Sequence, residues 1–262
     1  MTVKFNIVPE YISFVLLTLI CVYMLSDKKT LSPKELTFRF SCIFAIIATV
    51  NNIVSIYAIE NAARMHVAFN IYVNSFYFFS VAVMTTMVSI TTYVSMFEGR
   101  YEERRLRVAV IISLSYFILE TALVLVNLAT GWLFYFDADK AYHRGPLNAV
   151  GLLFLAISII NVLWFGILEW KRVRKLFRLV FFTLPAIGIV IGAIQYLFPT
   201  TILTGTIITF ALLTLLISGQ QQRARVDTLT ELPNREAFFN DIDRLCRQKQ
   251  PYRIIVIGLR NF

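Results

Sequence analysis

The chain has 262 residues, of which 58% are apolar and only 16% charged, with a formal net charge of +9. A typical soluble domain is roughly 45–50% apolar and about 25% charged, and a globule of this size cannot hide the surplus, which includes 23 Phe and 12 Tyr. Disorder, a disulfide scaffold, a collagen-like fibre and a soluble enzyme are excluded, which leaves an all-α polytopic membrane protein.

A membrane helix needs roughly 20 mostly apolar residues. Seven runs meet or approach that length, at 7–25, 40–59, 67–97, 108–130, 147–168, 179–198 and 202–217. The first is expected to stay in place rather than be cleaved as a signal peptide. Its basic flank is thin, and Ser26-Asp27-Lys28-Lys29 follows where a small-residue cleavage site would stand. The third is long enough to tilt or project beyond the lipid. The seventh is short and is expected to continue as a helix into the cytoplasm. Only Pro199, Thr200 and Thr201 separate the sixth from the seventh, so that hairpin is tight.

The basic residues fall unevenly. Lys28, Lys29, Lys34 and Arg39 follow the first run, and Arg100, Arg104, Arg105 and Arg107 follow the third. Lys171, Arg172, Arg174, Lys175 and Arg178 follow the fifth. These thirteen face four on the other side, Lys4, Arg64, Lys140 and Arg144. Basic short loops remain cytoplasmic. The N-terminus is therefore expected outside and the C-terminus inside, which requires an odd number of spans. The surplus charge belongs to topology and anionic lipid heads, not to nucleic acid.

Several seven-helix chemistries find no residues to run on. Every lysine lies outside the runs, so none can hold retinal. His66 and His143 fall in outer loops, so no helical pair can ligate a haem. No Arg ladder, HExxH or phosphate loop occurs. Cys21 and Cys42 lie in apolar runs and Cys246 in the polar tail, without metal-ligand spacing. No inverted repeat of broken helices points to a transporter.

Polar residues within the runs are few. Glu120 is the only ionisable group deep in one. Asn51 and Asn52 lie in the second run, Asn70 and Asn74 in the third, Asn127 in the fourth, Asn161 in the fifth and Gln195 in the sixth. Most of these fall in the outer half of the bilayer. One reading is an outward-facing pocket for a small extracellular ligand, anchored by Glu120 with Asn51, Asn52 and Asn74. The other is interhelical hydrogen bonding, each bond worth roughly 0.6–2 kcal/mol. For Glu120 the two stand level; for the amides the packing reading comes first. Pro185 and the pair Gly188 and Gly192 in the sixth run allow a kink and a close helix approach, and read first as packing. After the fourth run, aromatics flank the turn 137–140. This spacing predicts a small β-hairpin of 133–136 with 141–144, either a lid over the pocket or an interfacial belt.

After Ile217 the composition turns polar. Residues 218–226 read as a helical stalk continuing the seventh run, and the tail 227–262 then opens with Asp227-Thr-Leu-Thr-Glu-Leu-Pro-Asn-Arg235. This resembles the opening signature of GGDEF domains, the diguanylate cyclase family, which reads Asp-x-Leu-Thr-x-Leu-x-Asn-Arg. Asp227, Leu229, Thr230, Leu232, Asn234 and Arg235 match, while Glu231 replaces the usual Gly. Pro233 and Asn234 make a turn that starts an amphipathic helix over 236–247. Pro251 ends it, and 254–257 reads as a buried strand.

The resemblance implies the first helix and strand of an α/β output domain, a homodimer paired through the stalk, and a bacterial inner membrane. It also implies magnesium and GTP in an intact member, which makes cyclic di-GMP from two GTP. Two departures count against activity. Gly258 stands where the family places its first metal-ligating Asp, and Arg260 stands at the second. A hydrogen cannot replace a hard oxygen ligand. The Gly-Gly-Asp-Glu-Phe loop does not occur in the 262 residues. No catalytic residue, metal site or cofactor therefore carries over, and the chain is expected to be inactive alone. Three parts follow: a sensory membrane region over 1–217, the stalk over 218–226, and the start of a GGDEF domain over 227–262. Two outputs stay open, a regulated cyclase and a degenerate domain that binds or scaffolds.

Overall fold

The computed structural model describes residues 5–26, 32–97, 101, 103–170, 173 and 175–223, together with positions 234, 235, 238, 239, 242, 253 and 255. These contain seven α-helices: α1 (Val8–Ser26), α2 (Pro33–Glu60), α3 (Val67–Met96), α4 (Arg104–Thr130), α5 (Val150–Leu168), α6 (Lys175–Leu197) and α7 (Thr204–Arg223). Between α4 and α5 lies a hairpin, β1 (Phe134–Phe136) with β2 (Tyr142–Arg144). Five helices, α1 to α5, are long and apolar enough to cross a membrane; α6 and α7 carry shorter apolar stretches, Phe182–Leu197 and Thr204–Gln220. The protein is a helical membrane protein. Large apolar side chains such as Val15, Leu19, Ile118, Leu125 and Ile167 face outward, a surface suited to lipid rather than water.

Contacts divide the chain into two units, Met1–Leu216 and Ile217–Phe262. In the first, α3 is the central element, packing on α2, α4 and α5, while α1 packs on α2 and α6 on α5. Several helices extend beyond the apolar runs at their basic ends. α2 begins at Pro33 because Ser32 and Glu35 form a reciprocal capping box, and α4 begins at Arg104. Arg and Lys tolerate such places because their stems lie along apolar surface while their heads reach water.

One end of this unit gathers the basic loops. There Arg105 pairs with the fully buried Glu169 that caps α5. At the other end the N-terminal segment meets the 198–203 turn: Asn6 N–H donates to Thr200 O at 2.9 Å, and Ile202 N–H to Asn6 O at 3.2 Å. Phe5 N–H reaches Glu60 Oε1 at 3.1 Å, and the Arg144 guanidinium donates to Pro199 O at 2.8 Å. The starts of α1 and α7 therefore share one end.

The hairpin registers Phe134 with Arg144, Tyr135 with His143 and Phe136 with Tyr142. Asn127 ties it to α4. Its Oδ1 accepts from Leu133 N–H at 2.6 Å and Phe134 N–H at 3.2 Å, and its Nδ2 donates to Phe134 O at 3.2 Å. So Asn127 anchors a loop rather than a neighbouring helix. Asn161, by contrast, donates to Tyr116 Oη at 2.9 Å and is the interhelical bond expected. Of the small-residue pair, only Gly188 is close-packed: a Cβ there would lie 2.8 Å from Ile159 Cδ1, whereas nothing lies within 4 Å of Gly192.

In the second unit, Phe238 N–H donates to Asn234 O at 2.9 Å, and Arg235, Phe238, Phe239 and Ile242 are helical. Asp227, Leu229, Thr230, Leu232 and Gly258 lie outside the described residues, as do stalk positions 224–226. The expected strand is corrected at the position described: Ile255 is 84% exposed and not in a strand. A strand needs pairing partners to bury its faces, and no described residue pairs with it.

Gly145 packs against the base of the hairpin, where a Cβ would lie 2.1 Å from Trp132 O. Gly145→Ala is expected to destabilise this end by about 1–3 kcal/mol, read as faster amide exchange at Leu133 and Phe134. At the tip, Asp137 Oδ2 accepts from His143 Nε2–H at 2.7 Å and Oδ1 from Ala141 N–H at 2.8 Å. The His143 bond first, and then the backbone donor, hold the Asp137 carboxyl below its ordinary value. A lowered folded-state value means the contribution is full above the ordinary carboxylate range and lost as pH falls through the lowered value. The protection factor of the Ala141 amide, corrected for intrinsic exchange, should therefore fall on acidification, and Asp137→Asn should remove that dependence.

Candidate functional site

The polar residues that the spans bury do not all meet in one place. Between α2, α3, α5, α6, α7 and the hairpin lies a cavity of about 440 Å³. Asn52, Ser55, Asn74 and Tyr77 reach it from α2 and α3, Gln195 from α6 and Thr204 from α7. Tyr142 and Arg144 of β2 stand at its hairpin end, so the hairpin does border a pocket. Its aromatics divide: Phe134 is buried and stacks on Phe78 at 5.7 Å, while Tyr135 faces outward over His143.

Of the four sequence candidates, Asn52 and Asn74 line this cavity. Asn51 does not; its Nδ2 donates to Ser80 Oγ at 3.2 Å and joins α2 to α3. Glu120 does not line it either. It is buried on α4 behind α5, where a Cβ on Gly151 would come 3.7 Å from Glu120 Oε1. Gly151 itself is part of the wall, so Glu120 lies one backbone away from the space it was expected to anchor. The reason is angular. Sequence gives depth along a helix, but the face a residue presents depends on rotation about the helix axis.

The carboxylate that does adjoin the cavity is Glu10. It is fully buried in α1, and its Oε1 accepts from the Gly205 N–H in the first turn of α7 at 2.9 Å. Asn52 lies beside it. Glu10 thus caps a helix distant in sequence, where the partial positive charge of free N–H groups favours an anion. The same start of α7 is held by Ser13 Oγ on Thr206 Oγ1 at 3.2 Å, and by Tyr77 Oη on Thr204 Oγ1 at 3.3 Å. Gln195 Nε2 donates to Thr204 Oγ1 at 3.4 Å. Glu10 carries no distinguishing signal in the sequence. A Glu in the first turn of a helix reads as a complement to that helix's own dipole.

Most buried hydroxyls are satisfied within their own helix, as when Thr49 Oγ1 donates to Ala45 O and Thr209 Oγ1 to Gly205 O. Unpartnered side-chain atoms among the described residues include Glu10 Oε2, Asn52 Nδ2 and Gln195 Oε1, all at or beside the cavity. Glu10 and Asn52 neighbour one another and can satisfy each other, which leaves Gln195 Oε1 as the acceptor facing the cavity. Among the described residues, no group of three or more His, Cys, Asp or Glu is placed to hold a metal. No protein-family model matches the chain, and no curated protein sequence matches it.

The Glu10 cap separates charge from shape. Glu10→Gln keeps an acceptor for Gly205 N–H and should leave thermal unfolding in detergent within about 1 kcal/mol of the parent. Glu10→Ala removes the acceptor and should cost about 1–3 kcal/mol. Gly205→Ala should cost a similar amount, since its Cβ would lie 2.4 Å from Glu10 Oε2 and 3.1 Å from Thr49 Oγ1.

Proposed function

We propose that this chain is a membrane-embedded signal receptor that regulates a cytoplasmic GGDEF output. All seven helices cross the inner membrane of a bacterial cell, with the N-terminus outside and the C-terminus in the cytoplasm. One observation carries the reading: the cavity reaches Thr204, the first residue of α7, and α7 runs without interruption to Arg223. A small extracellular ligand that bonds Asn52, Tyr77 or Gln195 competes for the contacts that hold the start of α7. A shift or rotation of α7 passes to the stalk of a homodimer and changes how two output domains meet. A ligand acts in this way only through its different affinity for the two arrangements.

The output is a diguanylate cyclase in the regulated reading, with GTP and magnesium bound by residues of an intact domain. Gly258 and Arg260, standing where metal-ligating carboxylates belong in that family, favour a second reading, in which the output domain is degenerate and binds or scaffolds. The seven-helix topology and the lopsided basic loops support both.

The test fuses residues 1–226 to an active diguanylate cyclase domain and measures cyclic di-GMP in cells. One residue inserted between Gln221 and Gln222 turns everything beyond it by about 100° and should change output several-fold. Seven inserted residues, close to two turns, should restore it. Equal output from all three fusions would overturn the receptor reading. A fluorescent reporter placed after Phe262 should glow, and a periplasm-dependent phosphatase at the same place should be inactive.

A further inference from the structure

The cavity shares walls with two other spaces. Toward the hairpin end is a vestibule of about 600 Å³, which shares Phe5, Ile59, Tyr142, Arg144 and Pro199 with it. Toward the basic-loop end is a chamber of about 70 Å³, which shares Thr85, Leu155, Ile207 and Ile208. The three lie in series along α3, from the loops past Asn74 and Tyr77 to Ser89 and Thr92.

Their chemistry changes along that line. The vestibule carries both signs, Glu60 and Asp139 with Lys140, His143 and Arg144. Among the residues lining the middle cavity, Arg144 is the one charged side chain; the Glu10 carboxylate stands behind Asn52, directed at the Gly205 N–H, and is not part of the lining. The deep chamber has no charged lining residue. Two of its hydroxyls, Ser89 and Thr92, donate to Thr85 O and Val88 O of their own helix, at 2.9 and 2.8 Å. Beside Thr85 and Ser158, which add two further hydroxyls, the wall is apolar, with Val88, Val162, Leu184 and Ala211. A cation at one end, polar amides and hydroxyls such as Gln195, Tyr77 and Thr204 between, and a mostly apolar far end describe the complement of an amphiphile.

We infer that the cavity binds a single-chain acyl carboxylate of medium length. Its head group lies at the Arg144 end and its chain passes Leu155 into the deep chamber. This deepens the receptor reading and rests on it. A carboxylate there forms charge-assisted hydrogen bonds with the exposed Arg144 guanidinium, beside the one it already donates to Pro199 O, and water and salt screen the pair. Each methylene placed in the chamber adds apolar burial.

The full chain in lipid nanodiscs is titrated calorimetrically with sodium decanoate below its micelle-forming concentration, against empty nanodiscs. Saturable binding above the empty-disc baseline is expected, with butyrate at least about tenfold weaker. Arg144→Gln, at the exposed mouth, should weaken decanoate about tenfold and leave 1-decanol unchanged. Leu155→Trp, which plugs the junction with the deep chamber, should abolish decanoate binding, its folding being checked by thermal unfolding. Butyrate binding as tightly as decanoate would overturn the acyl assignment, as would decanoate binding indifferent to Arg144→Gln. No saturable binding at all would overturn it too. The insertion series in the fusion is read separately, so the ligand class and the receptor reading can each fail alone.

Discussion

Hydrocarbon offers no water to a polar group, so each buried donor and acceptor must find its partner within the protein. That constraint organises the membrane-embedded unit. Hydroxyls turn back onto their own helices, as Ser41 does on Thr37 and Ser113 on Ala109. Amides reach across to neighbours, as Asn51 does to Ser80 and Asn161 to Tyr116. Several buried polar atoms among the described residues keep no partner by geometry. Of these, Asn52 and Gln195 line the cavity and Glu10 stands behind Asn52, while others such as Asn70 lie away from it.

The same cluster fixes the start of α7. A helix begins with N–H groups that have no partner within it, and here Glu10 supplies one from another helix while Ser13, Tyr77 and Gln195 hold the hydroxyls beside it. The cavity wall and the positioning of α7 therefore draw on the same atoms, Tyr77, Gln195 and Thr204. Energetic coupling between two sites needs a shared element with more than one arrangement, and the first turn of α7 is where such sharing is most direct.

The hairpin end depends on a single amide. Asn127 makes three bonds to Leu133 and Phe134 and sets the hairpin against α4. Phe134 then stacks on Phe78 of α3, and Tyr142 and Arg144 come to the cavity mouth. The close approach at Gly145 leaves no room for a side chain. A short two-stranded ribbon is marginal by itself; this one is held by its attachment to two helices.

Much of the fold was legible in the residues alone. Apolar runs of membrane length mark the helices because length and greasiness are local properties. The hairpin shows through its turn and aromatics, and α7 continues past the apolar run as far as Arg223. The site was only half legible. Asn52 and Asn74 face the cavity, but Asn51, one residue away, turns to Ser80, and Glu120 lies behind Gly151. A step of one residue rotates a side chain by about 100° about the helix axis, and composition does not record that angle. Glu10 was invisible for a related reason. Its partner is Gly205, 195 residues further along, and only packing brings the first helix to the start of the last. The sequence determined that these helices form and lie in lipid; the tertiary structure decided which of their few polar atoms would meet.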